Sequence, residues 1–142
     1  MPRVLVVDDQ AHVRAVIAIS LQGMGFEVVG VADGAAALNE FQGSAFDLAV
    51  VDIYMPGLDG VKLIKAMRQR LPDFPVVAMS GVFLASQRMT LDYLPGLPGL
   101  TKITCLKKPF RPGDILSAVQ TAMGQTAASE PIIPAGELAH SN

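Results

Sequence analysis

A chain of 142 residues that is 51% hydrophobic fits one compact domain with its own core, needing neither disulfides nor a structural metal. Its 11 Lys and Arg against 13 Asp and Glu leave a net charge of −2, and no basic cluster exceeds the Lys107-Lys108 pair, which argues against direct nucleic-acid binding. Cys105, the single cysteine, excludes an internal disulfide, and no apolar run approaches the roughly 18 residues of a membrane span, so the chain reads as cytoplasmic with no membrane insertion.

The first apolar run opens at Val4 with no basic leader or cleavage signal before it. Residues 3–7 read as a strand, closed by Asp8-Asp9-Gln10, and Val13, Val16, Ile17, Leu21 and Met24 then recur at helical spacing. Gly23 and Gly25 bracket that helix's end, and residues 26–31 read as a second strand. Asp33-Gly34 turns the chain into a helix with Ala37, Leu38 and Phe41 on one face, ending near Gly43. A third apolar run, residues 46–51, delivers Asp52 at its carboxyl end. Pro56-Gly57 turns the chain there, and Asp59 is placed to cap a helix from about Gly60 to Leu71. That helix packs through Val61, Ile64, Met67 and Leu71, with Lys62, Lys65, Arg68 and Arg70 as its solvated side.

Residues 75–79 supply a fourth strand ending in Ser80-Gly81, and residues 103–106 a fifth, followed by Lys108-Pro109. Residues 83–93 are expected to be helical despite a blurred apolar stripe, and the Pro-Gly repeat of residues 94–100 must be a loop. A closing helix near residues 111–123 carries Pro112 in its first turn and faces Ile115, Leu116, Val119, Ala122 and Met123 inward. Residues 1–124 form the domain, and residues 125–142, without periodicity, read as a flexible tail. Five strands alternating with helices predict a doubly wound α/β fold, a five-stranded parallel sheet with helices on both faces.

In such a sheet Asp8, Asp9, Asp52, Ser80 and Lys108 all emerge at one edge, where ligands bind. Three carboxylates meeting within about 5 Å would cost roughly 3 kcal/mol per pair at an effective dielectric of about 20. Either one carboxyl is protonated or a divalent cation sits among them. Hard oxygen ligands with no His or Cys suit Mg2+ better than Zn2+. A carboxylate beside Mg2+ can act as a nucleophile toward phosphorus, with Lys108 as a second cation and the Ser80 hydroxyl as a donor to a further phosphoryl oxygen.

Val6-Val7-Asp8-Asp9, the D-x-x-M-P-x-x-D-G run from Asp52 to Gly60, Met79-Ser80-Gly81 and Lys108-Pro109-Phe110 together resemble the receiver domain of bacterial two-component response regulators, of the stand-alone type, over about residues 1–124. The resemblance implies a flavodoxin-like fold. It also implies that Asp52 accepts a phosphoryl group from the phosphohistidine of a sensor histidine kinase or a histidine phosphotransfer protein. Asp9, Asp52 and the Tyr54 backbone carbonyl would hold Mg2+, with Asp8 acting through water, while Ser80 and Lys108 grip the phosphoryl oxygens. The Lys108-Pro109 bond would be cis. Output would pass to a downstream protein target through a conformational change, and pairing with a second copy is left open.

The chain departs from the family pattern at Cys105, where Tyr or Phe is usual three residues before the lysine, and in the long interval between Ser80 and Lys108. Tyr54 is placed to lean over Asp52 and slow water access, or to lie on the surface; His12 is expected to face solvent on the first helix. Two alternatives stand beside a phosphoacceptor that is not an enzyme. One is a Mg2+-dependent phosphohydrolase with an aspartyl nucleophile, although Asp8-Asp9-Gln10 lacks the D-x-D of such enzymes. The other is a receiver-like scaffold that is never phosphorylated.

Overall fold

In the computed structural model, which describes residues 1–54, 59–81 and 100–127 and side chains as far as residue 124, five strands form one parallel sheet in the order β2-β1-β3-β4-β5. The strands are β1 (Arg3–Val7), β2 (Glu27–Val31), β3 (Leu48–Asp52), β4 (Val76–Ser80) and β5 (Thr104–Lys107). Four helices are described: α1 (Ala11–Gln22), α2 (Gly34–Gly43), α3 (Gly60–Arg70) and α4 (Pro112–Ala127). The helix expected at residues 83–93, most of the Pro-Gly loop, the turn at residues 55–58 and the tail beyond residue 127 lie outside the described residues.

Side chains alternate across a strand, and the apolar runs use both faces. Leu5, Val7, Ala49, Val51, Val76 and Ala78 enter one core with Ala37 and Phe41 of α2 and Leu63, Ile64 and Met67 of α3. Their neighbours Val4, Val6, Leu48, Val50, Val77 and Met79 enter a second core with Ile17 and Leu21 of α1 and Ile115, Val119 and Ala122 of α4. At about 1.5–3 kcal/mol for each fully buried aliphatic side chain, these two layers hold the sheet. Asp33 and Asp59 cap α2 and α3, accepting from the Ala36 and Lys62 amides at 2.8 and 2.9 Å, the second as its position before a helical run predicted. Gly25, at φ 91°, reverses the chain between α1 and β2 in a conformation that favours glycine.

The chain steps from β1 outward to β2, then returns past β1 to β3 and continues to β4 and β5. The direction of winding therefore changes between β1 and β3, the place where open α/β sheets bind ligands. Register brings the ends level: Val7 pairs with Val51, Asp52 with Met79, and Ser80 with Lys107.

Several expectations need correction. Arg68 is not solvated: it is buried, its Nε donating to the Phe74 carbonyl at 2.9 Å and its Nη1 to the Thr101 carbonyl, so it ties α3 to the segments that enter β4 and β5. Val16, Met24 and Leu71 are exposed: the buried stripe of α1 is only Ile17 and Leu21 wide, Met24 lies in the turn after α1, and Leu71 is the cap residue past the end of α3. β5 starts one residue later than expected, and the closing helix, expected near residues 111–123, runs as α4 over Pro112–Ala127.

Candidate functional site

The site is assembled from residues that follow two strands, β1 and β5, and residues that end two others, β3 and β4. Asp8 is fully buried just past β1; its amide donates to the Val31 carbonyl at 3.2 Å and its Oδ1 accepts from the Gln10 amide at 2.8 Å. Asp9, next to it, is exposed. Asp52 closes β3 and is also buried, with Oδ1 accepting from the Tyr54 amide at 3.0 Å. Carboxylate oxygens of Asp8, Asp9 and Asp52 all lie within 4.8 Å of one another, so the sheet does bring the three acids together.

Lys108 reaches the same place from beyond β5. Its amide donates to the Ser80 carbonyl at 2.7 Å, which fixes the chain over the end of β4 before the cis Lys108–Pro109 bond. Its Nζ lies 2.6 Å from Asp8 Oδ2 and 3.1 Å from Asp52 Oδ2, bridging two residues that are 100 and 56 positions away. Ser80 is buried at the adjacent strand end, but its hydroxyl donates to its neighbour's carbonyl, on Gly81, at 3.2 Å. The Tyr54 ring packs against the core on the α2 and α3 side, and His12 is exposed on α1, as expected. Cys105 is partly buried against that same core, opposite Ala78.

Charge and solvation pull in opposite directions here. Burial raises the pKa of Asp52 above the usual carboxylate value, while the Tyr54 amide and Lys108 pull it back and the charge of Asp8 adds to the rise. Burial also works against the Lys108 ammonium, but its hydrogen bonds to Asp8 and Asp52 and their charges prevail, raising its pKa and keeping it cationic. One ammonium facing three carboxylates leaves an excess of negative charge. The donors are all hard oxygens and one of them is open to solvent, a set that fits a divalent cation retaining several waters, as Mg2+ does.

Two contributors escaped sequence reasoning. A Cβ on Gly60 would stand 2.4 Å from the Asp52 carbonyl oxygen and 2.5 Å from Ile53 Cα, so α3 begins in backbone contact with the strand end that carries Asp52. The glycine was visible, but only the three-dimensional approach explains it. Arg14 donates from Nη1 to the Asp8 carbonyl at 2.7 Å. Its position in the first turn of a helix after an acidic pair was the available signal.

A family model described as the response regulator receiver domain matches residues 4–120. The chain is 32% identical over 125 residues to the transcriptional regulatory protein FixJ of Bradyrhizobium diazoefficiens, covering 86% of this chain and 57% of that protein. It is 38% identical over 104 residues to the sensor protein GacS of Pseudomonas syringae pv. syringae, covering 66% of this chain and 12% of that protein. The chain thus spans little more than half of the first relative and a small part of the second. Chemotaxis protein CheY4 of Vibrio cholerae, a solved structure, superposes with a TM-score of 0.73 at 28% identity, covering 86% of this chain and 98% of that one. Because the family match runs from before the acidic pair of β1 to beyond the lysine that follows β5, it takes in the whole site, and the chain belongs to the receiver domains of two-component response regulators, the phosphoacceptor signalling modules of that system.

Proposed function

We propose that Asp52 is the phosphoacceptor of this receiver domain, and that Asp9, Asp52 and the Tyr54 carbonyl hold Mg2+ beside it, with Asp8 acting through water. One observation carries the reading: Asp52 Oδ2 lies 3.1 Å from Lys108 Nζ inside a group of carboxylate oxygens that share a 4.8 Å neighbourhood. Magnesium bound there would offset the clustered negative charge and draw electron density from the transferring phosphoryl group.

The chain's own part is positioning. An Asp52 carboxylate oxygen attacks phosphorus in line; the O–P bond forms as the P–N bond of a donor phosphohistidine breaks, and the electron pair of that bond stays on the imidazole nitrogen. Lys108, kept cationic by Asp8, stands ready to pair with a phosphoryl oxygen in place of the Asp52 charge it now faces. The Ser80 hydroxyl, held only by a 3.2 Å bond to the neighbouring carbonyl, turns to donate to another phosphoryl oxygen. That turn shifts the end of β4 and, through the Lys108 amide, the end of β5, and so reports the phosphoryl group to the surface around β5.

The donor in this reading is a sensor histidine kinase or a phosphotransfer protein, and the receiver of the output is another protein. The domain works in the cytoplasm as a signalling module that turns over no free substrate. Among the described residues no helix is long and apolar enough to cross a membrane. The test is to incubate wild type and Asp52→Asn with a small phosphodonor and Mg2+ and to measure intact mass. Wild type should gain one acid-stable, base-labile phosphoryl group and the variant none; equal labelling of both rejects Asp52. Continuous release of phosphate from small esters would instead favour the hydrolase.

A further inference from the structure

Asp9 supplies a carboxylate to the cluster, yet that carboxylate takes no hydrogen bond among the described residues. With no partner to hold it, that carboxylate is placed only by where its Cα–Cβ bond starts, which is set by its backbone and so by the peptide plane that joins it to Asp8. The Asp8 end of that plane is buried, where a carbonyl oxygen needs a donor. The donor is Nη1 of Arg14, 2.7 Å away. A side chain in the first turn of α1 leans back toward the helix N-terminus, which carries the guanidinium to the end of β1.

The route of the arginine stem is equally specific. Gly30 of β2 lies beside it, and a Cβ there would stand 3.4 Å from Arg14 Cδ and 3.9 Å from both its Cβ and its Nε. A bare strand position next to the stem leaves the space in which it lies.

We propose that Arg14 is a positioning residue for the cation site: by holding the Asp8 carbonyl it fixes the Asp8–Asp9 peptide so that the Asp9 carboxylate converges with Asp8 and Asp52, and Gly30 admits the side chain that does so. This rests on the cation-binding role proposed above.

The experiment measures Mg2+ affinity by isothermal titration calorimetry on the full chain, at a temperature where circular dichroism shows each variant folded. Arg14→Met should bind Mg2+ about tenfold more weakly, the size of effect known for residues that orient metal ligands. Arg14→Lys should recover part of the loss, because its ammonium can donate to the same carbonyl. Gly30→Val keeps the arginine but fills its space, and should also weaken binding several-fold. A purely structural role would lower thermal stability and leave the affinity of the folded protein unchanged. Affinity of folded Arg14→Met within about twofold of wild type overturns the proposal, and if that variant does not fold, Gly30→Val decides by the same criterion. Asp9→Asn separates the two levels: wild-type affinity in Asp9→Asn overturns the cation site itself, whereas its loss there with Arg14→Met unaffected overturns only the positioning role.

Discussion

Asp52 is a carboxylate that the fold desolvates on purpose of position: it ends a strand buried on both faces, and burial raises its pKa above the ordinary 3.8. A carboxyl raised in the folded state adds stability that is full below the unfolded value and is lost as pH climbs through the folded one. Asp52→Asn cannot ionise, so in metal-free buffer its stability relative to wild type should grow as pH rises through the carboxylate range, as urea denaturation at a series of pH values would show. A difference that does not vary with pH would refute this. Gly60 acts at the same scale. Gly60→Ala places a methyl within 2.5 Å of backbone atoms that have no flexible end to move, and should cost about 1–3 kcal/mol, read from the urea midpoint. The loss should come with slower labelling of Asp52, because the displaced backbone is that of the proposed acceptor itself.

Elements show where periodicity reads well and where it misleads. The runs that became β1, β3 and β4 were plain, since a strand buried on both faces must be apolar throughout, and Asp33 and Asp59 marked helix starts, Asp59 as the cap that the structure shows. A helical wheel, by contrast, assigns Arg68 to solvent because it knows only the helix, while the two carbonyls that hold it belong to loops before β4 and β5. Arg68→Met takes this donor from the carbonyl of buried Phe74 and from that of Thr101, and should cost about 1–3 kcal/mol in urea denaturation. The edge that carries the proposed site lies at the opposite ends of the strands, so phosphoryl labelling of the folded variant should match wild type. The apolar spacing of α1 likewise overcounted its buried face: Val16 is 41% exposed, beside Ile17 and Leu21 at zero.

At the scale of the molecule, a sheet wound in two directions from its centre collects acids from β1 and β3 and a lysine from beyond β5 into one pocket. The repulsion among those acids is borne by the folded state alone, since the unfolded chain separates them, and a cation that binds only the folded state relieves it. Mg2+ at about 100 times its dissociation constant should therefore stabilise the protein by about 2.7 kcal/mol. Thermal unfolding with and without EDTA measures this directly, and Asp9→Asn should abolish most of the shift. An equal response in the variant would place the ion elsewhere.

Local chemistry was enough to announce the strands, the caps and the residues gathered at one edge, because each depends on neighbours within a few positions or on the shared direction of parallel strands. The resemblance carried by Asp8-Asp9, the run from Asp52 to Gly60, Ser80 and Lys108 was legible on the same basis. Which of those residues touch was not. Lys108 pairing with Asp8 across 100 positions, Arg14 reaching the Asp8 carbonyl beside Gly30, Gly60 pressed against the backbone of Asp52, and Arg68 turned inward are contacts between elements. They depend on strand order, register and the angle at which each helix meets the sheet, none of which is written in the spacing of any one segment.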